Sequence, residues 1–212
     1  NVINQSGFSI YENPSLGDNL LSWSPRSYES FELLRRLEKF STVKNIFEIR
    51  EGISTGLNSA FILSKREFED LPKRERKFFR PAIITESINR GQLSDISYVF
   101  YPYGEELPKI QSEDNLQKYT ENYYKKYLLT NKSKLSSRSR KTENNWWTLN
   151  EYRAWQVEKM PKLVSTHFGK SGSFAWDNSG DYAIINGFAW FPKKVKVLPE
   201  NIGLAYLAIL SC

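Results

Sequence analysis

The sequence predicts a mixed α+β fold of short antiparallel strands with several flanking helices. Three observations carry that prediction. The last third alternates brief apolar runs with turns marked by glycines at 169, 172, 180 and 187, the pattern that hairpins leave. The first two thirds hold charged segments whose apolar residues recur at helical spacing. No strand–helix–strand series repeats along the chain, so the parallel architecture such a series builds is not expected.

Each element follows from its residues. Up to about Ser22 the chain is polar, turn-rich and poorly periodic. Ser24-Pro25 then supplies an N-cap and a first-position proline. Phe31, Leu34 and Leu37, with Leu33 and Phe40 less regularly, alternate with charged residues beyond it, which makes an amphipathic helix with one core face. Ile46-Phe47-Glu48-Ile49-Arg50 reads as a strand stopped by Gly52, and Ala60-Phe61-Ile62-Leu63 as a second strand after a turn over 54–58. Ser64 caps a charged helix whose Phe68 and Leu71 face inward. Ser97-Tyr98-Val99-Phe100-Tyr101 is the clearest strand, ended by Pro102 and Gly104. Ser112, followed by Glu113 and Asp114, opens a helix carrying Leu116, Tyr119, Tyr123, Tyr124, Tyr127 and Leu128. Strands are expected at 162–166, 173–176, 182–185 and 194–198, and an apolar helix over 204–210.

Composition narrows the chemistry. A chain of 212 residues with 15% aromatic side chains can bury a core without disulfides. Cys212 is the single cysteine and His167 the single histidine, which excludes an intrachain disulfide and any multi-cysteine or multi-histidine metal site. One cysteine fits a reducing, cytoplasmic setting. No apolar run approaches the ~18 residues of a membrane-spanning helix, and Asn1-Val2-Ile3-Asn4-Gln5 has no signal-peptide character. Met160 is the only methionine and the apolar run at 204–210 stops close to the last residue. The chain therefore reads as a piece of a longer polypeptide.

Catalytic signatures are absent: there is no G-x-G-x-x-G, Walker A, H-E-x-x-H or G-x-S-x-G. Asp177 and Asp181 flank Asn178-Ser179-Gly180, which reads as a turn rather than a carboxylate pair. His167 ends a strand before a turn and reads as a structural or surface residue. The net charge of +6 is concentrated instead. Between Tyr123 and Thr142 lie Lys125, Lys126, Lys132, Lys134, Arg138, Arg140 and Lys141 with no acid among them. Such a stretch is either a solvated face or a field that attracts phosphates by counterion release. Ser133, Ser136, Ser137 and Ser139 add hydrogen-bonding hydroxyls. Trp146 and Trp147 suit either a core or stacking on unpaired bases. In the turn after Arg50, Gly52 and Gly56 permit a sharp reversal that puts Thr55 and Asn58 near its tip. Those side chains can meet a base edge or a phosphate, or can hold the loop by bonding one another.

The segment Gly52-Ile53-Ser54-Thr55-Gly56-Leu57-Asn58-Ser59-Ala60-Phe61 resembles the opening motif of the TaqI-like C-terminal specificity domain. That family supplies the target recognition domain of many adenine-specific DNA methyltransferases and type II restriction–modification enzymes. Similar pieces follow in the family's order: Pro81-Ala82-Ile83-Ile84, Val99-Phe100-Tyr101, Leu135-Ser136-Ser137-Arg138, Trp146-Trp147-Thr148-Leu149, and Lys159-Met160-Pro161-Lys162-Leu163-Val164. Leu207-Ala208-Ile209-Leu210-Ser211 looks like its leucine-rich helix. The resemblance runs from roughly Phe40 onward, which divides the chain into a lead-in with a helix over 1–40 and a specificity domain over 41–212, truncated at its C-terminal end. The family's middle segment usually holds an aromatic or basic gate residue, and Arg90 is the counterpart here.

The resemblance implies a division of labour. Enzymes of the family carry an S-adenosylmethionine-binding domain with an Asn-Pro-Pro-Tyr motif, and a separate domain that chooses the sequence. Neither cofactor loop nor catalytic motif is present here, since Asn13-Pro14 is followed by Ser15. The chain is therefore expected to be non-catalytic, with no cofactor or metal of its own. Its partners would be double-stranded DNA and the N-terminal methyltransferase domain of the same polypeptide. The expected DNA-binding residues are Thr55, Asn58, Arg90, Lys132, Lys134, Arg138, Arg140, Lys141, Trp147 and Lys162, with the arginines suited to guanine edges or phosphates. Two other readings stay open. One is a protein-interaction module docking a catalytic domain or acidic partner through the basic face. The other is single-stranded RNA binding through Trp146 and Trp147.

Overall fold

In a computed structural model of the chain, which describes residues 2–5, 8–11, 28–168, 172–193 and 199–211, the short apolar runs pair into two four-stranded sheets. The chain forms two compact units, Asn1–Asn45 and Ile46–Cys212.

In the first unit, β1 (Val2–Gln5) and β2 (Phe8–Tyr11) form an antiparallel hairpin with Val2 opposite Tyr11. Four-residue strands are too short to print a period, so this stretch reads as aperiodic in the sequence. Helix α1 (Tyr28–Leu37) is present, but Leu33 and Leu37 on it and Phe40 just past its end are exposed, so these three do not form the expected core face. The expected cap at Ser24-Pro25 and the side chains of Phe31 and Leu34 lie outside the described residues. A helical turn, α2 (Val43–Ile46), leads to the second unit.

The first sheet of the second unit contains β3 (Phe47–Glu51), β9 (Lys162–Thr166), β10 (Phe174–Asp177) and β12 (Gly187–Pro192) in the order β10-β9-β12-β3, all antiparallel. One row across it runs Ala175, Val164, Ala189, Arg50. Small residues at Ala175 and Ala189 let Val164 pack with Ile83 and Ile184 in a compact cluster. The second sheet orders β11 (Ala183–Ile184), β5 (Phe79–Ile83), β8 (Ser97–Phe100) and β4 (Ile62–Leu63) as β11-β5-β8-β4. Its β11–β5 pair is parallel, the others antiparallel. A small hairpin, β6 (Ile88–Asn89) and β7 (Gln92–Leu93), turns at Arg90-Gly91.

Helices cover the second sheet. Ala60 and Phe61 belong to a turn of helix, α3 (Asn58–Phe61), rather than to the expected strand, because Ala60 N bonds the carbonyl of Leu57. Ser64 accepts from Glu67 N and Glu67 accepts from Ser64 N, a capping box that opens α4 (Lys65–Asp70). A short α5 (Lys73–Arg76) follows. Ser112 caps α6 (Glu113–Tyr119) as expected. The helix then breaks at Thr120, and continues as α7 (Glu121–Tyr123), a π-helical turn Tyr124–Leu128, a 3₁₀ turn Leu129–Asn131 and α8 (Lys132–Ser136). The main core gathers Phe61, Phe78, Phe100, Tyr123, Leu128, Leu135 and Trp146. Helix α9 (Glu200–Leu210) lies against the first sheet, where Gly203 lets its backbone approach the Trp176 ring: a Cβ there would stand 2.9 Å from it. The strand expected at 194–198, Gly169 and Cys212 lie outside the described residues. Strand β12, which runs from Gly187 to Pro192, is an addition to the expected set.

Candidate nucleic-acid interface

The glycine turn is built into the fold rather than left as a free loop. Gly52 N donates to Gly187 O and Ile53 N to Ile184 O, each at 2.8 Å, and Ser54 exchanges backbone bonds with Glu151. Thr55 is 2% exposed, and its hydroxyl donates to Asn58 Oδ1 at 2.6 Å while accepting from Leu57 N. Gly56 holds φ +72, and a Cβ there would meet Arg138 Cδ at 2.7 Å. That approach explains the glycine: an L-residue is strained at this φ and has no room beside the arginine.

Arg138 clasps the turn to the basic segment. Its Nη1 donates to Thr55 O at 2.5 Å, Nη2 to Trp146 O at 2.6 Å and Thr148 O at 2.9 Å, and Nε to Leu135 O at 3.0 Å. The guanidinium also lies over the Phe61 ring. Burial pulls its pKa below the ordinary arginine value. Lys141 is held similarly, its ammonium donating to Thr148 Oγ1 at 2.8 Å and Leu149 O at 2.6 Å. Burial, then the neighbouring Arg138 charge, lower its pKa.

The acid-free stretch meets acids through the fold. Lys132 pairs with Glu113 at 2.9 Å and lies over the Trp146 ring. Lys125 pairs with Glu121 at 2.8 Å. Glu113 also accepts from Trp146 Nε1 and the Tyr124 hydroxyl. Lys134 on α8 and Arg140, at φ +64, are exposed and have no ion pair among the described residues. Arg138 and Lys141 bond neutral oxygens, so their charges are anchored but not cancelled. Asn58 is exposed beside them.

Four expected contact residues therefore receive a correction. Thr55 is buried in its own turn, and Arg138 spends its donors on carbonyls. Trp147, 5% exposed, packs at 90° to Trp146 in the core, which leaves little of its ring open to stacking. Lys162, 2% exposed, bonds Asp177 Oδ2 at 2.5 Å and the carbonyl of Gly180 at 3.2 Å, far from any phosphate's reach. Burial lowers its pKa, opposed by the Asp177 charge. Asp177 in turn accepts from Ser179 Oγ and Gly180 N, forming the turn expected at 177–181. Arg90 is exposed at φ +47 with Gly91 at φ +84, the geometry of a tight hairpin tip, on a separate element from the clasp. His167 sits at the surface 3.7 Å from Glu51.

The structure thus brings together Asn58, Lys132, Lys134, Arg140 and Lys141 around the Arg138 clasp. Sequence reasoning missed Glu113 and Glu121, whose charge is visible but whose partners are fixed by helix packing. Among the described residues no cluster of histidine, cysteine or acidic side chains could hold a metal ion, and no helix is long and apolar enough to cross a membrane. No family model matches the chain, and no curated protein is significantly similar to it.

Proposed function

We propose that this chain recognises duplex DNA sequence-specifically, as the non-catalytic specificity part of an S-adenosylmethionine-dependent N6-adenine DNA methyltransferase or fused restriction–modification enzyme. The observation that carries the reading is the Arg138 clasp. It joins the two segments with the strongest nucleic-acid character, the glycine turn and the basic stretch, and leaves Asn58, Lys134 and Arg140 exposed around the join. Lysines and arginines of such a surface neutralise phosphates, while asparagine and arginine read base edges. Methyl transfer, the cofactor and the cytoplasmic setting belong to the parent enzyme in this reading.

The test is a titration of duplex DNA at several salt concentrations, followed by fluorescence anisotropy. Log affinity should fall linearly with log salt, and Lys134→Glu combined with Arg140→Glu should weaken binding and flatten the slope by about 2. Unchanged affinity and slope in the double variant overturn the assignment of this surface.

A further inference from the structure

Beside the basic segment opens a cleft of ≈ 490 Å³ whose walls include Tyr103, Leu107, Ile110, Trp147, Tyr152 and Val157. That volume falls in the range of roughly 300–1,000 Å³ typical of small-ligand sites. Its aromatic side is prearranged. The Tyr152 ring packs on Tyr103 at 4.2 Å between centroids, and Tyr103 stands edge-on to Tyr101 at 5.1 Å. Tyr152 nonetheless keeps 39% of its surface exposed, an aromatic face supported from behind and open to the cleft.

The rim is cationic. Thr148 lines the cleft, and its hydroxyl holds the Lys141 ammonium at 2.8 Å. Lys109 is a lining residue itself, and neither lysine has an ion-pair partner among the described residues. Glu105, an acid in the same lining, disfavours a phosphate at its own side and can accept from an exocyclic amino group. A supported ring face with ammonium groups at the edge is the chemistry that holds a base and its phosphate.

We propose that this cleft receives an unstacked nucleobase of bound DNA, stacked on Tyr152 with its phosphate against Lys109 and Lys141. The proposal rests on the DNA-recognition reading for the source of the base, and it adds a site that duplex reading does not need. The probe is a duplex carrying one bulged 2-aminopurine, compared with the fully paired duplex and with free 2-aminopurine nucleoside monophosphate. The protein should bind the bulged duplex about tenfold more tightly than the paired one and quench its fluorescence. Tyr152→Ala should abolish that preference and leave paired-duplex affinity unchanged, while Tyr152→Phe retains it. Lys109→Glu, which leaves both tyrosines in place, should weaken the bulged duplex more than the paired one, and circular dichroism verifies the fold of each variant. Equal affinity of the unaltered protein for both duplexes, with or without binding of the free monophosphate, overturns the cleft assignment and leaves duplex recognition standing. Binding of neither duplex overturns both.

Discussion

Arg138 carries a full positive charge, yet its N–H donors face four carbonyl oxygens, from Leu135, Thr55, Trp146 and Thr148. Hydrogen bonds from a charged donor contribute more than neutral ones, and removing it strands carbonyls that water reaches poorly. Arg138→Ala is therefore expected to destabilise the protein by about 2–3 kcal/mol in urea denaturation. Arg140→Glu, at an exposed position, should stay within about 0.5 kcal/mol of the unaltered protein. The contrast separates the two arginines by role: substituting Arg138 perturbs the fold, whereas substituting Arg140 reports on the surface. Equal stabilities for the two variants would refute the clasp. Lys162 follows the same logic more strongly. A buried cation with Asp177 as its counter-charge is a core element, whatever the sequence around it resembles.

At the scale of elements, α5 and α7 are four and three residues long, too short to persist by helix propensity. Glu75 holds them together. Its buried carboxylate accepts from Asn122 N at 3.1 Å, Asn122 Nδ2 at 2.7 Å and Tyr123 N at 2.9 Å. A helix start has orphan N–H groups and a positive end, both of which a carboxylate satisfies. Glu75→Ala should cost about 2–3 kcal/mol and Glu75→Gln less, since the amide keeps one acceptor. Hydrogen exchange at Tyr123 N should quicken in the alanine variant; unaltered protection there would count against the bridge. Some element boundaries were legible and some were not, for identifiable reasons. Ser64 and Ser112 mark helix starts because capping is a local bond, three residues away. The tyrosine-rich run after Ser112 reads as one helix, but Thr120 bends back to Leu116 O and the following turns widen so that Tyr123, Tyr127 and Leu128 reach the core. That break answers to the packing surface beneath it, which local spacing does not encode.

Across the whole molecule, buried tyrosines tie stability to pH. Burial raises the pKa of Tyr103 from 10.0 to about 12, and burial likewise raises Tyr101 and Tyr123. The unfolded chain releases these protons near pH 10 while the folded protein retains them. Their contribution is therefore fully present below pH 10 and is lost as pH rises toward about 12. Tyr103 alone accounts for about 2–3 kcal/mol of that loss. The urea midpoint should fall as pH rises above 10; a midpoint constant from pH 10 to pH 12 would contradict the burial of these hydroxyls.

The amino-acid order by itself determined the mixed α+β class, the capped helices and the crowding of cations over 123–142, because each rests on spacing within a few turns of chain. Which of those cations meet solvent was decided only by the tertiary structure. Lys132 finds Glu113 nineteen residues away and Arg138 finds Thr55 eighty-three residues away; outside that stretch, Lys162 finds Asp177 across a strand pair. A side chain's charge is a property of its residue, but its exposure is a property of everything packed against it, and long-range packing leaves no local pattern.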